Sequence, residues 1–88
     1  MSVRIEFMGM PRQYAACDTI DTDADTLDDA LRTVADRFPE IQQHCFDGKT
    51  LRTGFLVGVN SRFDSVQPTM PLHDGDTVQL LSADVGGH

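Results

Sequence analysis

Val3, Ile5 and Phe7 alternate with Arg4, Glu6 and Met8. A period of two is that of a half-buried strand, and Gly9-Met10-Pro11 punctuates its end. Tyr14 to Ile20 reads as a second, weakly patterned strand, so a hairpin is expected. The pattern then changes period. Leu27, Ala30, Leu31, Val34, Ala35 and Phe38 fall at helical spacing and form one apolar stripe of an amphipathic helix. Thr26 followed three residues later by Asp29 resembles a capping box, with Asp in place of Glu or Gln. Asp25, Asp28 and Asp29 suit the positive end of the helix dipole. Pro39 disfavours helical geometry at Phe38, so the helix is expected to stop there.

Residues 40–53 are mixed and polar, with a turn signal at Asp47-Gly48. Phe55, Val57 and Val59 alternate with Leu56 and Gly58, which predicts a third strand. Asn60-Ser61 turns the chain, and Arg62 to Val66 reads as a short fourth strand. The prolines of Gln67-Pro68-Thr69-Met70-Pro71 predict an irregular segment. Asp74-Gly75-Asp76 is a further turn, and Thr77 to Leu81 is the last strand, with Val78 and Leu80 on one face. Strands on both sides of a single helix predict an α+β domain, a mixed sheet with the helix across one face. The folded domain is expected over residues 1–81, and a flexible tail over 82–88.

That tail holds Val85-Gly86-Gly87-His88. Glycine loses more backbone freedom on ordering than any other residue. A Gly-Gly doublet after a strand is therefore either a frayed end or a thin segment made to enter a narrow channel. Extended from Ser82 to Gly87, it reaches roughly 20 Å at about 3.4 Å per residue.

Composition narrows the function classes. Eighty-eight residues make one domain. The net charge is −7, from 14 acidic against 7 basic residues, and Lys49 is the only lysine. Nucleic acid and anionic membranes need a basic face and are not expected partners. A partner with a basic docking surface is. No apolar run approaches a membrane span, and the first residues lack a signal peptide, so a soluble cytoplasmic protein is expected. Cys17 and Cys45 lack CxxC spacing and are expected to stay reduced, with Cys17 buried in the second strand. No second Cys-His pair completes a zinc site beside His44-Cys45. Asp21, Asp23 and Asp25 invite a calcium-loop reading. It fails because Thr26 and Arg32 stand where the loop needs Gly and Glu. No metal site is expected. Phosphate-binding glycine loops and a GxSxG elbow are also missing.

One constellation remains. Phe55-Leu56-Val57-Gly58-Val59-Asn60, then Pro71-Leu72-His73-Asp74-Gly75-Asp76-Thr77-Val78, then Gly86-Gly87, resembles the small sulfur-carrier proteins of the MoaD/ThiS family. That family has a strand ending Val-Asn, a "Pro-Leu-x-Asp-Gly-Asp-x-Val" turn into its last strand, and a terminal Gly-Gly. The resemblance spans nearly the whole chain and implies a β-grasp, or ubiquitin-like, fold. It also implies a protein co-substrate that is not itself an enzyme. A ubiquitin-activating-type enzyme uses ATP to adenylate the last glycine. A sulfur donor then displaces AMP to leave a thiocarboxylate. An acceptor synthase passes the sulfur to a pterin, thiazole or cysteine precursor, in molybdopterin, thiamine or cysteine biosynthesis. No permanently bound cofactor is implied, since ATP belongs to the activating enzyme.

Carried onto this sequence, Gly87 bears the reactive carboxylate and Gly86 is its thin approach. His88 departs from the pattern. It is trimmed by a peptidase, or is an added residue, or the chain is no carrier in this form. Ser82-Ala83-Asp84-Val85 also replaces the apolar and proline residues common before the doublet in the molybdopterin branch. Docking is expected on the sheet face opposite the helix, through Leu56 and Leu81, with Val85 in the tail. The other reading of Leu56 and Leu81 is that they fill the edge of the core. A ubiquitin-like modifier joined to lysines through Gly87 is the alternative function. A β-grasp binding module without tail chemistry is a third.

Overall fold

The computed structural model describes residues 2–64 and 66–83. Its elements are β1 (Val3–Met8), α1 (Met10–Ala15), β2 (Thr19–Thr22), α2 (Leu27–Arg37), α3 (Pro39–Cys45), β3 (Phe46–Asp47), β4 (Thr50–Leu51), β5 (Phe55–Val59) and β6 (Thr77–Ser82). Four strands form one sheet in the order β2-β1-β6-β5. The central pair β1 and β6 is parallel, and the outer pairs are antiparallel. The sheet is therefore mixed, as expected.

The alternation in β1 places Val3, Ile5 and Phe7 in the core, all at most 2% exposed. Val78 and Leu80 of β6 join them from the neighbouring strand. Leu27, Ala30 and Val34 of α2 close over this face. The helix begins as its sequence predicts: the Thr26 hydroxyl accepts from the Asp29 amide at 3.2 Å. The irregular segment before Leu72 has a defined task at the same place. Its carbonyls at Met70 and Pro68 accept from the amides of Leu27 and Asp28, donors that a helix start leaves without internal partners.

Several expectations are corrected. Tyr14 to Ile20 is not one strand, since α1 occupies Met10–Ala15 and β2 is only Thr19–Thr22. Pro11 sits in the first turn of α1, where its missing donor does no harm. Pro11 and Ala15, four residues apart, are buried on one side of the helix, while Tyr14 stacks on His44 of α3 with ring centroids 4.6 Å apart. Cys17 consequently lies half-buried after α1 and not in a strand.

The polar stretch after Pro39 holds α3, whose Ile41 and Cys45 are buried four residues apart, and then a small hairpin, β3–β4, around Asp47-Gly48. Pro39 ends α2 and also opens α3, because proline is favoured at the first helical position. Arg62 to Val66 forms no strand among the described residues. Val59 and Arg62 exchange two backbone hydrogen bonds, 2.9 and 3.0 Å, across Asn60-Ser61. Both turn residues are left-handed, φ 52° and 68°, as a two-residue hairpin turn requires. The chain then leaves the sheet.

Candidate functional site

Strand β6 has two different ends. At its start, the Asn60 amide donates to the Thr77 carbonyl at 2.7 Å, and the Thr77 amide donates to Asn60 Oδ1 at 3.0 Å. Asn60 Nδ2 donates to Asp76 Oδ1, and the His73 amide donates to Asp76 Oδ2 at 2.8 Å. Asp74 Oδ1 accepts from the Ser2 amide, and the Gly75 amide donates to the Ser2 carbonyl. The bond from the His73 amide is the main reason the Asp76 carboxyl lies below its ordinary pKa, and the Asn60 side chain adds to it. The Val-Asn and Asp-Gly-Asp residues that carry the resemblance are thus a structural knot. It joins the β5 turn, the start of β6 and the start of β1.

At the other end, β6 carries Leu81 on the sheet face opposite Val78 and Leu80. Leu81 pairs with Leu56 on one side and with Met8 on the other, forming one apolar rung across three strands. Met8 is 40% exposed and Leu56 44%, while Leu81 between them is half-buried. The next rung is Glu6, Gln79 and Gly58. Gln79 is buried there because both ends of its amide are bonded: Oε1 accepts from the Ser61 amide, and Nε2 donates to Glu6. A Cβ on Gly58 would stand 2.7–2.9 Å from ring carbons of Phe63. The missing side chain is therefore what lets the Phe63 ring lie against the strand. Phe63 remains 40% exposed.

Leu56 and Leu81, singled out from alternation, are brought together. Met8 and Phe63 were not singled out. Met8 looked like the polar partner of an alternating pair. Phe63 had one signal, a glycine inside a strand, which often marks a close approach of another group. Contiguous exposed apolar side chains mark interaction surfaces, and Met and aromatic residues are enriched at them. Val85, Gly86 and Gly87 lie outside the described residues. Before them, Ser82, expected to begin the tail, is the last residue of β6, and the Ala83 amide donates to the Gly54 carbonyl at 2.6 Å.

The remaining chemistry-bearing side chains do not assemble into a reaction centre among the described residues. Burial pushes the Cys45 thiol up to about 11, so it stays protonated and unreactive at neutral pH. No three of the described His, Cys, Asp and Glu residues gather as a metal-binding group. No helix among the described residues is long and apolar enough to cross a membrane.

No protein-family model matches the chain, and no curated protein matches it. Solved structures do. SAMP1 of Haloferax volcanii is 22% identical, with 99% of this chain and 100% of that chain covered and a TM-score of 0.86. The BexX/CysO complex of Amycolatopsis orientalis contains a chain 22% identical, with 97% and 99% covered and a TM-score of 0.79. The complex of subunits 1 and 2 of molybdopterin-converting factor from Helicobacter pylori contains one 21% identical, with 93% of each chain covered and a TM-score of 0.65. At this identity the likeness establishes the fold, the β-grasp that the sequence resemblance implied.

Proposed function

We propose that this protein is a sulfur carrier whose reacting group is the carboxylate of Gly87, exposed once His88 is removed by a peptidase. It serves other enzymes as a co-substrate in the cytoplasm and has no catalytic centre of its own. The path of β6 carries the reading: the strand runs from the Asn60 knot through the Met8, Leu81, Leu56 rung and leads on in sequence to Val85-Gly86-Gly87. The solved complexes named BexX/CysO and molybdopterin-converting factor subunits 1 and 2 support it, since in both a chain of this fold is held by a partner protein.

Docking through Leu56, Leu81, Met8 and Phe63 places the domain on a ubiquitin-activating-type enzyme. The net charge of −7 favours a basic rim around that contact. The Gly87 carboxylate then attacks the α-phosphorus of ATP and pyrophosphate leaves. A hydrosulfide-level donor attacks the resulting acyl carbon, and AMP leaves with the carbon–oxygen bond broken. The product is a thiocarboxylate, and its sulfur is the nucleophile offered to a pterin, thiazole or cysteine precursor on an acceptor synthase. Glycine suits this task because the acyl carbon must sit beside the α-phosphate inside a channel, where a side chain would meet the walls.

A chain ending at Gly87, incubated with ATP, sulfide and the host's activating enzymes, is expected to gain mass by the difference between sulfur and oxygen. The chain keeping His88 is expected to stay unchanged. No AMP formation and no added sulfur with any such enzyme would overturn the proposal. The second reading, a modifier joined to lysines through Gly87, draws on the likeness to SAMP1, which a related solved structure names small archaeal modifier protein 1. It predicts isopeptide-linked adducts in place of the thiocarboxylate.

A further inference from the structure

The end of β6 is gripped from two sides. Gly9, between β1 and α1, has φ 66° and ψ −135°. That left-handed backbone favours glycine, and a Cβ there would collide with the Ser82 hydroxyl oxygen. The same hydroxyl accepts from the amide of Met10, the first residue of α1, at 3.3 Å. On the opposite side the Gly54 carbonyl accepts from the Ala83 amide at 2.6 Å. One grip comes from the turn after β1 and the other from the turn before β5. None of these groups belongs to the apolar rung.

We infer that Gly9, Ser82 and Gly54 form a collar that fixes where and in which direction the C-terminal segment leaves the domain. In that role they are positioning residues for the reaction of Gly87, acting independently of docking. This rests on the sulfur-carrier reading. With Ala83 held, Gly87 follows four residues later in the sequence, a reach of about 14 Å at roughly 3.4 Å per residue. So short a segment leaves little slack between the collar and the reacting carboxylate. Reacting atoms must approach to about 3–3.5 Å, and a displacement of about 1 Å is enough to lower a rate by about 100-fold. The rung sets where the domain sits on the enzyme, and the collar sets where the glycine arrives.

The test uses the chain ending at Gly87, its activating enzyme and ATP–pyrophosphate exchange. Ser82→Ala removes the hydroxyl acceptor without adding bulk. Gly9→Ala drives a methyl into Ser82, and adding Ser82→Gly relieves that collision. The expected result for Ser82→Ala and Gly9→Ala is a kcat lowered about tenfold or more, with KM within about twofold. The Gly9→Ala, Ser82→Gly pair lacks both the collision and the hydroxyl acceptor, so its activity should rise no higher than that of Ser82→Ala. Unchanged kcat, or a raised KM with unchanged kcat, overturns the positioning role. Backbone relaxation gives a readout free of the enzyme. The Ala83 amide should be rigid in the wild type, with an order parameter of about 0.85, and fall towards about 0.6 in Ser82→Ala. An amide equally rigid in both overturns the collar. If the wild type shows no exchange with any activating enzyme, the carrier reading fails and the positioning role with it, while the relaxation data still decide the collar.

Discussion

The two ends of β6 solve opposite problems. The start is fixed by polar groups that bond one another: Asn60 and Asp76 by their side chains, Thr77 and His73 by their amides. The far end carries the exposed apolar side chains of Met8 and Leu56, beside two turns that hold the strand's last residues. The first end completes the fold by itself. The second is where the proposed docking surface lies. The comparison teaches that the residues easiest to match between sequences, Val-Asn and Asp-Gly-Asp, build the fold, and the surface available for function is written in plainer residues.

The largest effect should come from the tail. Gly87→Ala is expected to lower sulfur transfer by about 100-fold or more, on the scale of a misplaced reacting group, with melting unchanged. Retained transfer in a mass-spectrometric assay would remove the channel argument for glycine. Next comes the apolar rung. Leu56→Asp places a charge where a partner would bury it, and is expected to weaken docking about 10- to 100-fold, or about 1.4–2.8 kcal/mol. Its melting temperature should shift little, because Leu56 is 44% exposed. Titration calorimetry against the activating enzyme, with a thermal melt alongside, separates docking from folding. A large loss of stability would move Leu56 into the core and favour the edge-filling reading.

The knot should show the reverse. Asn60→Ala removes two side-chain bonds and puts alanine at φ 52°. A loss of about 1–2 kcal/mol in denaturant unfolding is expected, with docking affinity preserved in correctly folded protein. Weaker docking without lost stability would erase the distinction between the two ends. The smallest effect concerns pH. The folded pKa of Asp76 is lowered by the His73 amide and then by Asn60. Its contribution is therefore complete above the ordinary carboxylate range, near pH 4, and is lost as pH falls through the lower folded value. The stability gap between wild type and Asp76→Asn should narrow below about pH 4. A gap that widens there would contradict the hydrogen-bond assignment.

What the sequence disclosed follows physical length and locality. The stripe of α2 repeats over three turns with a cap in front, and β1, β5 and β6 alternate long enough for their faces to be read. Helices α1 and α3, of six and seven residues, are too short to display a repeat, and their proline starts resemble stops. Leu56 and Leu81 were legible because alternation alone puts them on one face. Phe63 was not, because it reaches the sheet only through the notch at Gly58. The collar was invisible for the same reason: Gly9 and Ser82 stand 73 residues apart in sequence and meet only because β1 and β6 lie side by side.

The central claim is that this domain delivers Gly87 as a sulfur-bearing terminus. Intact-mass spectrometry of the protein purified from its native host tests it most directly. The account predicts a species ending at Gly87 with one oxygen replaced by sulfur. Protein that always retains His88 and never carries sulfur would contradict it, and isopeptide-linked conjugates in its place would favour the modifier.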